Sequence, residues 1–310
     1  MESQVQPKLI IHGGSGSSIE SKGGLIAVRQ SLHKIVEEVY EMLQAGAIAS
    51  EAVVRGCTLL EDDPLYNAGT GSVLQSDGQI RMSASLMDGS TNRFSGVINA
   101  SRLKNPIELA KFLQNSPDRV LSDYGAAELL RELNVPPYNA LTDKRLEEWI
   151  EERKENFTKK MANVVAEPPG SGTIGVVALD NRGSLAVGTS TGGKGFERIG
   201  RTSDSAMPAG NYANGLAAVS CTGIGEDIID ECLAARIVVR VSDGLDLKGA
   251  FDKSFAEADD RQRDFAAIGI DATGAIAWGK TCDLIVAAFH DGQRIGDSLE
   301  IGQGTKVFLA

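Results

Sequence analysis

The sequence has few histidines and cysteines, and those present form no familiar catalytic or metal motif. Only three histidines, His12, His33 and His290, occur in 310 residues, and the chain has no Gly-x-Ser-x-Gly turn, so a Ser-His-Asp triad is not indicated. His-Glu-x-x-His and paired Cys/His spacings are also missing, which excludes the common zinc motifs. We therefore interpret each histidine as structural. Four cysteines without a Cys-x-x-Cys pair, in apolar surroundings, predict buried reduced thiols: Cys57, Cys221, Cys232 and Cys282.

Excess positive charge and long apolar runs are missing as well. The chain carries 31 basic and 42 acidic residues, a formal net charge of −11, which argues against a nucleic-acid or anionic-membrane partner. No run approaches the roughly 20 apolar residues of a membrane-spanning helix. Residues 1–8 lack the basic-then-apolar pattern of a signal peptide. We expect a cytoplasmic protein that binds neither nucleic acid nor membrane.

The order of the apolar patterns predicts an α+β fold. Strand-like runs precede helical runs, and the same order then repeats. Hairpin turns are predicted at residues 77–78, between strands at 72–74 and 80–86, and at residues 180–183. This order indicates mainly antiparallel sheets covered by helices. Ser50 is predicted to cap the second helix, and one helix is predicted over residues 223–241. Because each half has too few strands to form a core alone, we expect residues 1–310 to form a single domain.

One exposed linker interrupts this pattern, at about residues 151–172. It begins with a strongly charged stretch, ends in Pro-Pro-Gly-Ser-Gly and runs directly into Thr173, which opens an apolar strand. This arrangement suits a precursor that cuts itself between Gly172 and Thr173. The new terminus would carry a hydroxyl nucleophile and an amine base on one residue. A second cluster, Thr-Ser-Thr-Gly-Gly, follows on the next strand and contains Thr191.

The same polar residues also have simpler interpretations. Threonine is common in strands, and Thr191 could cap a turn at a strand end. Arg201 and Asp204 could form an ordinary surface ion pair, which contributes little to stability. They could also bind a zwitterion, because arginine pairs with a carboxylate and a carboxylate accepts an ammonium. Spacing alone does not distinguish these alternatives.

Two glycine-rich segments bear on nucleotide binding, the alternative from a different class of protein. Residues 188–195 read Gly-x-x-x-x-Gly-Lys after a strand, but Gly195 stands where a magnesium-binding Ser or Thr belongs, and no convincing helix start follows. Gly223 and Gly225 open a helix without the third glycine of a dinucleotide fingerprint. The N–H groups at such a helix start suit a carboxylate or an oxyanion equally well.

Six segments occur in an order that is specific as a set: Ile-His-Gly-Gly (11–14), Leu-Glu-Asp-Asp-Pro-Leu-Tyr-Asn-Ala-Gly (60–69), Met-Asp-Gly (87–89), Gly-Thr-Ile-Gly (172–175), Thr-Ser-Thr-Gly-Gly (189–193) and Ser-Cys-Thr-Gly-Ile-Gly (220–225). With these segments the chain resembles, over nearly its whole length, the plant-type asparaginase and isoaspartyl peptidase family of N-terminal-nucleophile hydrolases. The resemblance implies a four-layer αββα sandwich. It also implies autocleavage into an α chain, residues 1–172, and a β chain, residues 173–310.

The resemblance further implies roles for individual residues. The hydroxyl of Thr173 would attack a side-chain amide carbon, with its own α-amine as base, and Thr191 would hydrogen-bond and tune it. Thr222 and the N–H of Gly223 would form the oxyanion hole and contact the substrate. The rest of the substrate would be bound by Arg201 at the α-carboxylate, by Asp204 and the carbonyl of Gly225 at the α-ammonium, and by Asn67 beside the nucleophile.

The resemblance implies a structural sodium ion but no catalytic cofactor. A loop of the family holds this ion with main-chain carbonyls, and carbonyl oxygens suit a hard cation. The matching residues are Leu60, Glu61, Asp63, Tyr66, Ala68 and Thr70. Self-association as a dimer of αβ units is implied by the resemblance alone.

The expected substrates are small molecules, β-aspartyl (isoaspartyl) dipeptides and L-asparagine, with the dipeptides preferred. The family often has Arg-x-Gly-Asp-Ser-Pro, whereas this chain has Arg-Thr-Ser-Asp-Ser-Ala from Arg201. The spacing to Asp204 is kept, so the difference bears on substrate preference. Glycosylasparaginase is the nearest alternative, but its nucleophile typically follows His-Asp, and here Ser171 and Gly172 precede Thr173. A threonine-aspartase-like endopeptidase would be longer, and a non-cleaving paralogue would not need the full set of polar residues.

Overall fold

Strands from both halves of the chain build two sheets. The computed structural model describes residues 5–16, 19, 23–154, 172–300 and 304–310. Within these residues the first sheet has eight strands: β1 (Lys8–Gly16), β2 (Met82–Asp88), β3 (Arg93–Ala100), β4 (Val120–Ser122), β5 (Ile174–Leu179), β6 (Leu185–Thr191), β11 (Leu284–His290) and β12 (Ile295–Asp297). The second sheet of the same described ranges has five: β7 (Asn211–Ala213), β8 (Ala217–Gly223), β9 (Phe265–Asp271), β10 (Ile276–Lys280) and β13 (Lys306–Leu309).

The sheets are antiparallel except at one edge. The spatial orders are β12-β11-β1-β5-β6-β2-β3-β4 and β13-β10-β9-β8-β7, and only the pair of β3 and β4 is parallel among the described strands. The hairpin predicted at residues 180–183 is confirmed, because β5 and β6 pair from Ile174 with Ser190 to Leu179 with Leu185. β5 therefore lies inside the first sheet, between β1 and β6.

Helices cover the outer face of each sheet. The helices of the first half are α1 (Gly24–Gln44), α2 (Ala49–Asp62), α3 (Pro106–Leu113), α4 (Asp123–Glu132) and α5 (Asp143–Lys154). Those of the second half are α6 (Gly225–Glu231), α7 (Leu233–Ser242) and α8 (Leu247–Asp260). The apolar stripes of α1 and α2 pack on the first sheet, and those of α7 and α8 pack on the second.

The inner faces of the two sheets pack on each other. Ile10 of β1, Val177 of β5 and Val187 of β6 share one apolar cluster with Ile268 and Ile270 of β9. Each such side chain contributes about 1.5–3 kcal/mol when it is fully buried. The order of layers is helix, sheet, sheet, helix, so the predicted α+β architecture and the αββα sandwich are confirmed.

The hairpin predicted at residues 77–78 is wrong. β2 pairs with β3 through a turn at residues 89–92, and residues 72–74 form no strand. The N–H of Val73 donates instead to Oδ1 of Asn67 at 2.9 Å. The Asp-Gly pair thus marks a real turn. The residues before it bond to the loop that contains Asn67, and local sequence does not predict this contact.

Two helix boundaries also differ from the predictions. Ser50 lies inside α2, and the carboxylate of Asp180 accepts the N–H of Ala49 at 3.0 Å in its place. Because Asp180 is far away in sequence, local spacing could not identify this cap. The single helix predicted after β8 is broken at Cys232, whose φ of 47° is left-handed, so that α6 and α7 are separate.

The predicted linker at 151–172 lies largely outside the described residues. Residues 151–154 belong to the end of α5, and the description resumes at Gly172. The division into an α chain and a β chain within one domain therefore stays a prediction. In the part of the chain that is described, no helix combines the length and the hydropathy needed to cross a membrane.

Candidate active site

Two threonines face each other at one end of the first sheet. Thr173 directly precedes β5 and Thr191 ends β6, and the register of these strands sets them side by side. The hydroxyl of Thr173 donates to Oγ1 of Thr191 at 3.1 Å, and the N–H of Gly193 donates to the same oxygen at 3.1 Å. Thr191 therefore caps a turn, as its simpler interpretation predicts, and also contacts Thr173. Both are buried, with 7% of Thr173 and 1% of Thr191 exposed.

Asn67 connects this pair to the peptide bond before Thr173. Its N–H donates to the carbonyl of Gly172 at 3.1 Å, and its carbonyl accepts the N–H of Gly192 at 2.8 Å. Its side-chain Nδ2 donates to the carbonyl of Gly193 at 2.7 Å. Asn67 thus lies beside the threonine pair, and it also contacts the carbonyl of the predicted cleavage site. No local sequence pattern indicates that second contact, because it joins residues far apart in the chain.

Thr222 and Gly223 belong to the second sheet. They end β8, and Oγ1 of Thr222 lies 3.5 Å from Oγ of Ser15 on β1. Gly223 has a φ of 133°, and a Cβ at this position would lie 2.5 Å from Cα of Phe265. The close approach of β9 therefore requires glycine at this end of β8.

Asp204 is a buried carboxylate with one oxygen unused. It begins a 3₁₀ turn at Asp204–Ala206, and only 4% of it is exposed. Oδ1 accepts a hydrogen bond from the hydroxyl of Ser203 at 3.2 Å, whereas Oδ2 has no hydrogen-bond partner among the described residues. Burial raises the pKa of Asp204 from 3.8 to about 6, against the opposing effects of Arg201 and Ser203. An oxygen of this kind is a ready acceptor for a ligand ammonium.

The side chains of Arg201 and Asp204 both lie beside Gly225. A Cβ on Gly225 would lie 2.6 Å from Nη2 of Arg201 and 2.7 Å from Oδ1 of Asp204. A cation and an anion therefore border the same glycine without forming an ion pair with each other among the described contacts. This arrangement supports the zwitterion interpretation over the surface ion pair.

Arg201 is paired instead with Glu226, a residue that sequence reasoning missed. Nε and Nη2 of Arg201 donate to the two carboxylate oxygens of Glu226 at 3.1 and 3.0 Å. Only 14% of the Arg201 side chain is exposed, against 51% for Glu226. Burial alone would raise the pKa of Glu226, but its hydrogen bonds and attraction to Arg201 lower it. Its position directly after Gly225, in the first turn of α6, was the available signal.

The loop at residues 60–70, for which the resemblance implies a sodium ion, has several main-chain carbonyls close to its own backbone. The N–H of Thr70 donates to the carbonyl of Glu61 at 2.8 Å. A Cβ on Gly71 would lie 2.8 Å from the carbonyl oxygen of Pro64 and 2.9 Å from that of Tyr66. Two main-chain oxygens therefore lie close to Gly71, and the Glu61 carbonyl, one of the six predicted ligands, already accepts a hydrogen bond within the loop. The sodium site stays a prediction.

The phosphate-loop alternative lacks the helix that it needs. Residues 188–191 belong to β6, and the next helical segment of the described chain is the short 3₁₀ turn at Asp204–Ala206. Within the described residues, no helix N-terminus therefore directly follows the glycine loop. Nζ of Lys194 lies 3.8 Å from Oε1 of Glu226, beside the Arg201 pair.

One of the cysteine predictions is wrong. All four cysteines are free thiols, and Cys57, Cys221 and Cys282 are buried as predicted, but Cys232 is exposed. Cys232 has a left-handed backbone conformation at the break between α6 and α7. The predicted burial assumed one continuous helix, which does not form here.

Comparison with known proteins assigns the family. A family model described as asparaginase matches residues 5–300. The chain belongs to the asparaginase family. An isoaspartyl peptidase/L-asparaginase of Nostoc sp. is 72% identical over 314 aligned residues, which cover 99% of each chain. A protein of the same name from Synechocystis sp. is 62% identical, over 96% of this chain and 92% of its own.

A more distant member has a related name. The plant-type L-asparaginase of Pyrococcus horikoshii is 33% identical, over 92% of this chain and 96% of its own. The resemblance to the plant-type asparaginase and isoaspartyl peptidase family is therefore confirmed. The two-sheet sandwich of this asparaginase-family chain agrees with the N-terminal-nucleophile fold expected for it.

Proposed function

We propose that this chain is an autoprocessing amidohydrolase that hydrolyses the side-chain amide of β-aspartyl dipeptides and of L-asparagine. The products are L-aspartate and an amino acid or ammonia. The observation that carries the proposal is the buried hydroxyl pair of Thr173 and Thr191, directly after the predicted cleavage site. The names of the relatives from Nostoc and Synechocystis support the choice of substrates.

The first step is cleavage of the chain before Thr173. Oγ1 of Thr173 attacks the carbonyl carbon of Gly172, the bond to the Thr173 nitrogen breaks, and the hydroxyl proton ends on the released amine. Water then hydrolyses the ester, which leaves a carboxylate on Gly172 and restores the Thr173 hydroxyl. The hydrogen bond from the N–H of Asn67 to the Gly172 carbonyl, at 3.1 Å, would stabilise the negative charge that develops on that oxygen.

The second step uses the same hydroxyl on the substrate. The free α-amine of Thr173, with an ordinary pKa of about 7.7–8.0, accepts the hydroxyl proton while Oγ1 attacks the aspartyl side-chain carbonyl. The proton passes to the leaving nitrogen, and an aspartyl ester of Thr173 remains. Water hydrolyses this ester and releases L-aspartate. Thr222 and the N–H of Gly223 are proposed to donate to the oxyanion in both halves of the reaction.

Arg201, Asp204 and Gly225 are proposed to bind the α-amino-acid head of the substrate. Glu226 uses two of the five N–H donors of Arg201, which leaves the Nη1 side of the guanidinium for a bidentate contact with the α-carboxylate. The Asp204 carboxylate, whose Oδ1 borders Gly225, and the Gly225 carbonyl would accept from the α-ammonium. A substrate without this zwitterionic head would leave the buried Asp204 carboxylate unpaired.

The scheme needs no catalytic cofactor. We propose that the main-chain carbonyls of the loop at 60–70 hold a sodium ion, which would stabilise the segment that carries Asn67 without entering the chemistry. We also propose that the processed αβ units pair into a dimer and that the enzyme works in the cytoplasm. Light scattering of the processed protein tests the dimer, and cell fractionation tests the location.

The experiment compares wild-type protein with Thr173→Ala. Each protein is incubated with a β-aspartyl dipeptide, the corresponding α-aspartyl dipeptide, L-asparagine and an N-glycosylated asparagine, and released aspartate is measured. The proposal expects the wild type to hydrolyse the β-aspartyl dipeptide and L-asparagine only, and the variant to hydrolyse neither. Preferred hydrolysis of the glycosylated substrate would assign a glycosylasparaginase instead, and an active Thr173→Ala protein would refute the nucleophile.

A further inference from the structure

Three buried polar side chains join the two sheets close to the threonine pair. Nε2 of His12 on β1 lies 2.9 Å from Oγ of Ser220 on β8. The same Ser220 oxygen lies 2.7 Å from Oγ1 of Thr189 on β6. All three residues are completely buried. We name His12, Ser220 and Thr189 the inter-sheet network.

The strand registers place two members of the network in one row of the first sheet. β1 pairs His12 with Gly175, and β6 pairs Thr189 with the same glycine. Ser220 of the second sheet lies above this row. A Cβ on Gly175 would overlap both Oγ of Ser220 and Nε2 of His12, so the missing side chain lets His12 and Ser220 meet over β5.

The candidate catalytic residues lie one step further along the same strands. Residues i and i+2 of a strand point to the same face. Thr173 and Thr191 are therefore the next row after Gly175 and Thr189, on the same face of the first sheet. In the second sheet, Thr222 stands in the same relation to Ser220. The network thus joins the sheets one residue pair away from the place where the proposed nucleophile must meet the proposed oxyanion hole.

This location matters because the nucleophile and the oxyanion donors belong to different sheets. The apolar contacts between the sheets are non-directional and tolerate small shifts, whereas hydrogen bonds between buried groups restrict distance and angle. Catalytic groups must be held within about 0.5 Å of the productive geometry, and a shift of about 1 Å can reduce a rate about a hundredfold.

We propose that His12, Ser220 and Thr189 are positioning residues that set the distance between Thr173 and the oxyanion donors at Thr222 and Gly223. The inference rests on the proposed function. The hydrogen bonds that join His12, Ser220 and Thr189 involve neither Arg201 nor Asp204. Its loss therefore reduces the rate of the chemical step and leaves the binding of the substrate head unchanged.

The test uses substitutions that remove one hydroxyl and preserve shape. Thr189→Val and Ser220→Ala break the network, and Thr189→Ser keeps its hydroxyl. Ser95→Ala is the matched control, because the buried hydroxyl of Ser95 donates to the carbonyl of Ala110 at 2.6 Å, on β3 and away from β5 and β8. For each protein the processed fraction is measured by intact mass, and kcat and KM are measured per processed site with a β-aspartyl dipeptide.

The expected result is a split between kcat and KM. Thr189→Val and Ser220→Ala lower kcat about tenfold or more, an effect within the range for displaced catalytic groups, with KM nearly unchanged. Thr189→Ser and Ser95→Ala stay near the wild-type kcat. Ser220→Ala, which removes a single oxygen atom, provides the readout if the valine variant does not fold.

Two outcomes would overturn the inference. If the wild type is active and kcat is undiminished in processed Thr189→Val and Ser220→Ala, the positioning role is rejected and the proposed function stands. An equal loss of kcat in Ser95→Ala has the same meaning. A processed wild type that hydrolyses neither β-aspartyl dipeptide nor L-asparagine rejects the proposed function, and the inference falls with it.

Discussion

The hydroxyl of Thr173 donates its hydrogen bond to the hydroxyl of Thr191 at 3.1 Å. The N–H of Gly193 holds the Thr191 oxygen from the other side at 3.1 Å. The direction of this bond leaves the lone pairs of the Thr173 oxygen free to approach a carbonyl carbon. We therefore propose that Thr191 orients the proposed nucleophile.

Removing the acceptor at residue 191 should slow the reaction without removing the nucleophile. Thr191→Val keeps the shape of the side chain but cannot accept the Thr173 hydrogen bond, so we expect kcat to fall about tenfold or more, equivalent to at least about 1.4 kcal/mol in activation free energy. Thr191→Ser keeps the oxygen and should retain most of the activity. Steady-state kinetics on fully processed protein provide the measurement, and equal kcat in the valine and serine variants would contradict the role of this contact.

Substrate binding should weaken in acid because of Asp204. Its carboxylate is ionised above its pKa of about 6, and only the ionised form pairs with an α-ammonium. We expect KM for L-asparagine to rise as pH falls below about 6, up to about tenfold per pH unit for a single titrating group. Asp204→Asn should give a high KM that no longer changes in this range. A wild-type KM that is constant from neutral pH to pH 5 would exclude Asp204 from the ammonium contact.

The same carboxylate should reduce the stability of the fold at neutral pH. Burial raises the pKa of Asp204 above its unfolded value, so its stabilising contribution is full below about pH 3.8 and is lost as pH rises through about 6. Asp204→Asn should therefore increase the free energy of unfolding at pH 7, by an amount on the order of 3 kcal/mol at most. Urea denaturation at pH 7 and pH 4 provides the measurement, and a variant less stable than the wild type at pH 7 would contradict it.

Glu226 should act on substrate affinity through Arg201. Glu226→Ala frees Nε and Nη2 of Arg201, so the guanidinium loses its fixed orientation, and we expect KM to rise several-fold, about tenfold at most, for one lost bidentate contact. The value of kcat should change little, because Glu226 does not contact the threonine pair. Kinetics with L-asparagine give the answer, and a large fall in kcat at unchanged KM would assign Glu226 a different role.

A methyl group at residue 225 should block the proposed head-group site. The new Cβ would lie 2.6 Å from Nη2 of Arg201 and 2.7 Å from Oδ1 of Asp204, where the substrate head must fit. We expect Gly225→Ala to reduce kcat/KM about a hundredfold, roughly 2.7 kcal/mol, while the chain still processes itself. Gly215→Ala is the matched control, because a Cβ at Gly215 meets no atom within 4 Å. Equal activity of the two variants would reject the head-group assignment.

Much of the site could be predicted because it depends on local pattern. The turn at residues 180–183 sets the register of β5 and β6, and that register alone places Thr173 beside Thr191. The head-group residues Arg201, Asp204 and Gly225 were predicted from the family resemblance, because their spacing matches the family's. These features can be predicted without knowledge of the tertiary structure, because they depend on a hairpin register and on short spacings along the chain.

Most of the features that were missed are contacts between residues far apart in the chain. Glu226 binds Arg201 across 25 residues, Asn67 binds the carbonyl of Gly172 from another loop, and Asp180 caps a helix 131 residues away. Residues 72–74 were assigned to a strand because nothing local indicates that Asn67 takes the N–H of Val73. Polar contacts of this kind depend on how the sheets and loops pack, which periodicity and propensity do not specify.

Autocleavage before Thr173 is tested by an intact-mass spectrum of freshly purified protein, repeated after incubation, for wild type and Thr173→Ala. We predict two wild-type fragments that correspond to residues 1–172 and 173–310, with Thr173 as the new N-terminus, and a single uncut chain for the variant. A wild-type chain that stays whole, or a Thr173→Ala chain that cuts at the same bond, would contradict the account.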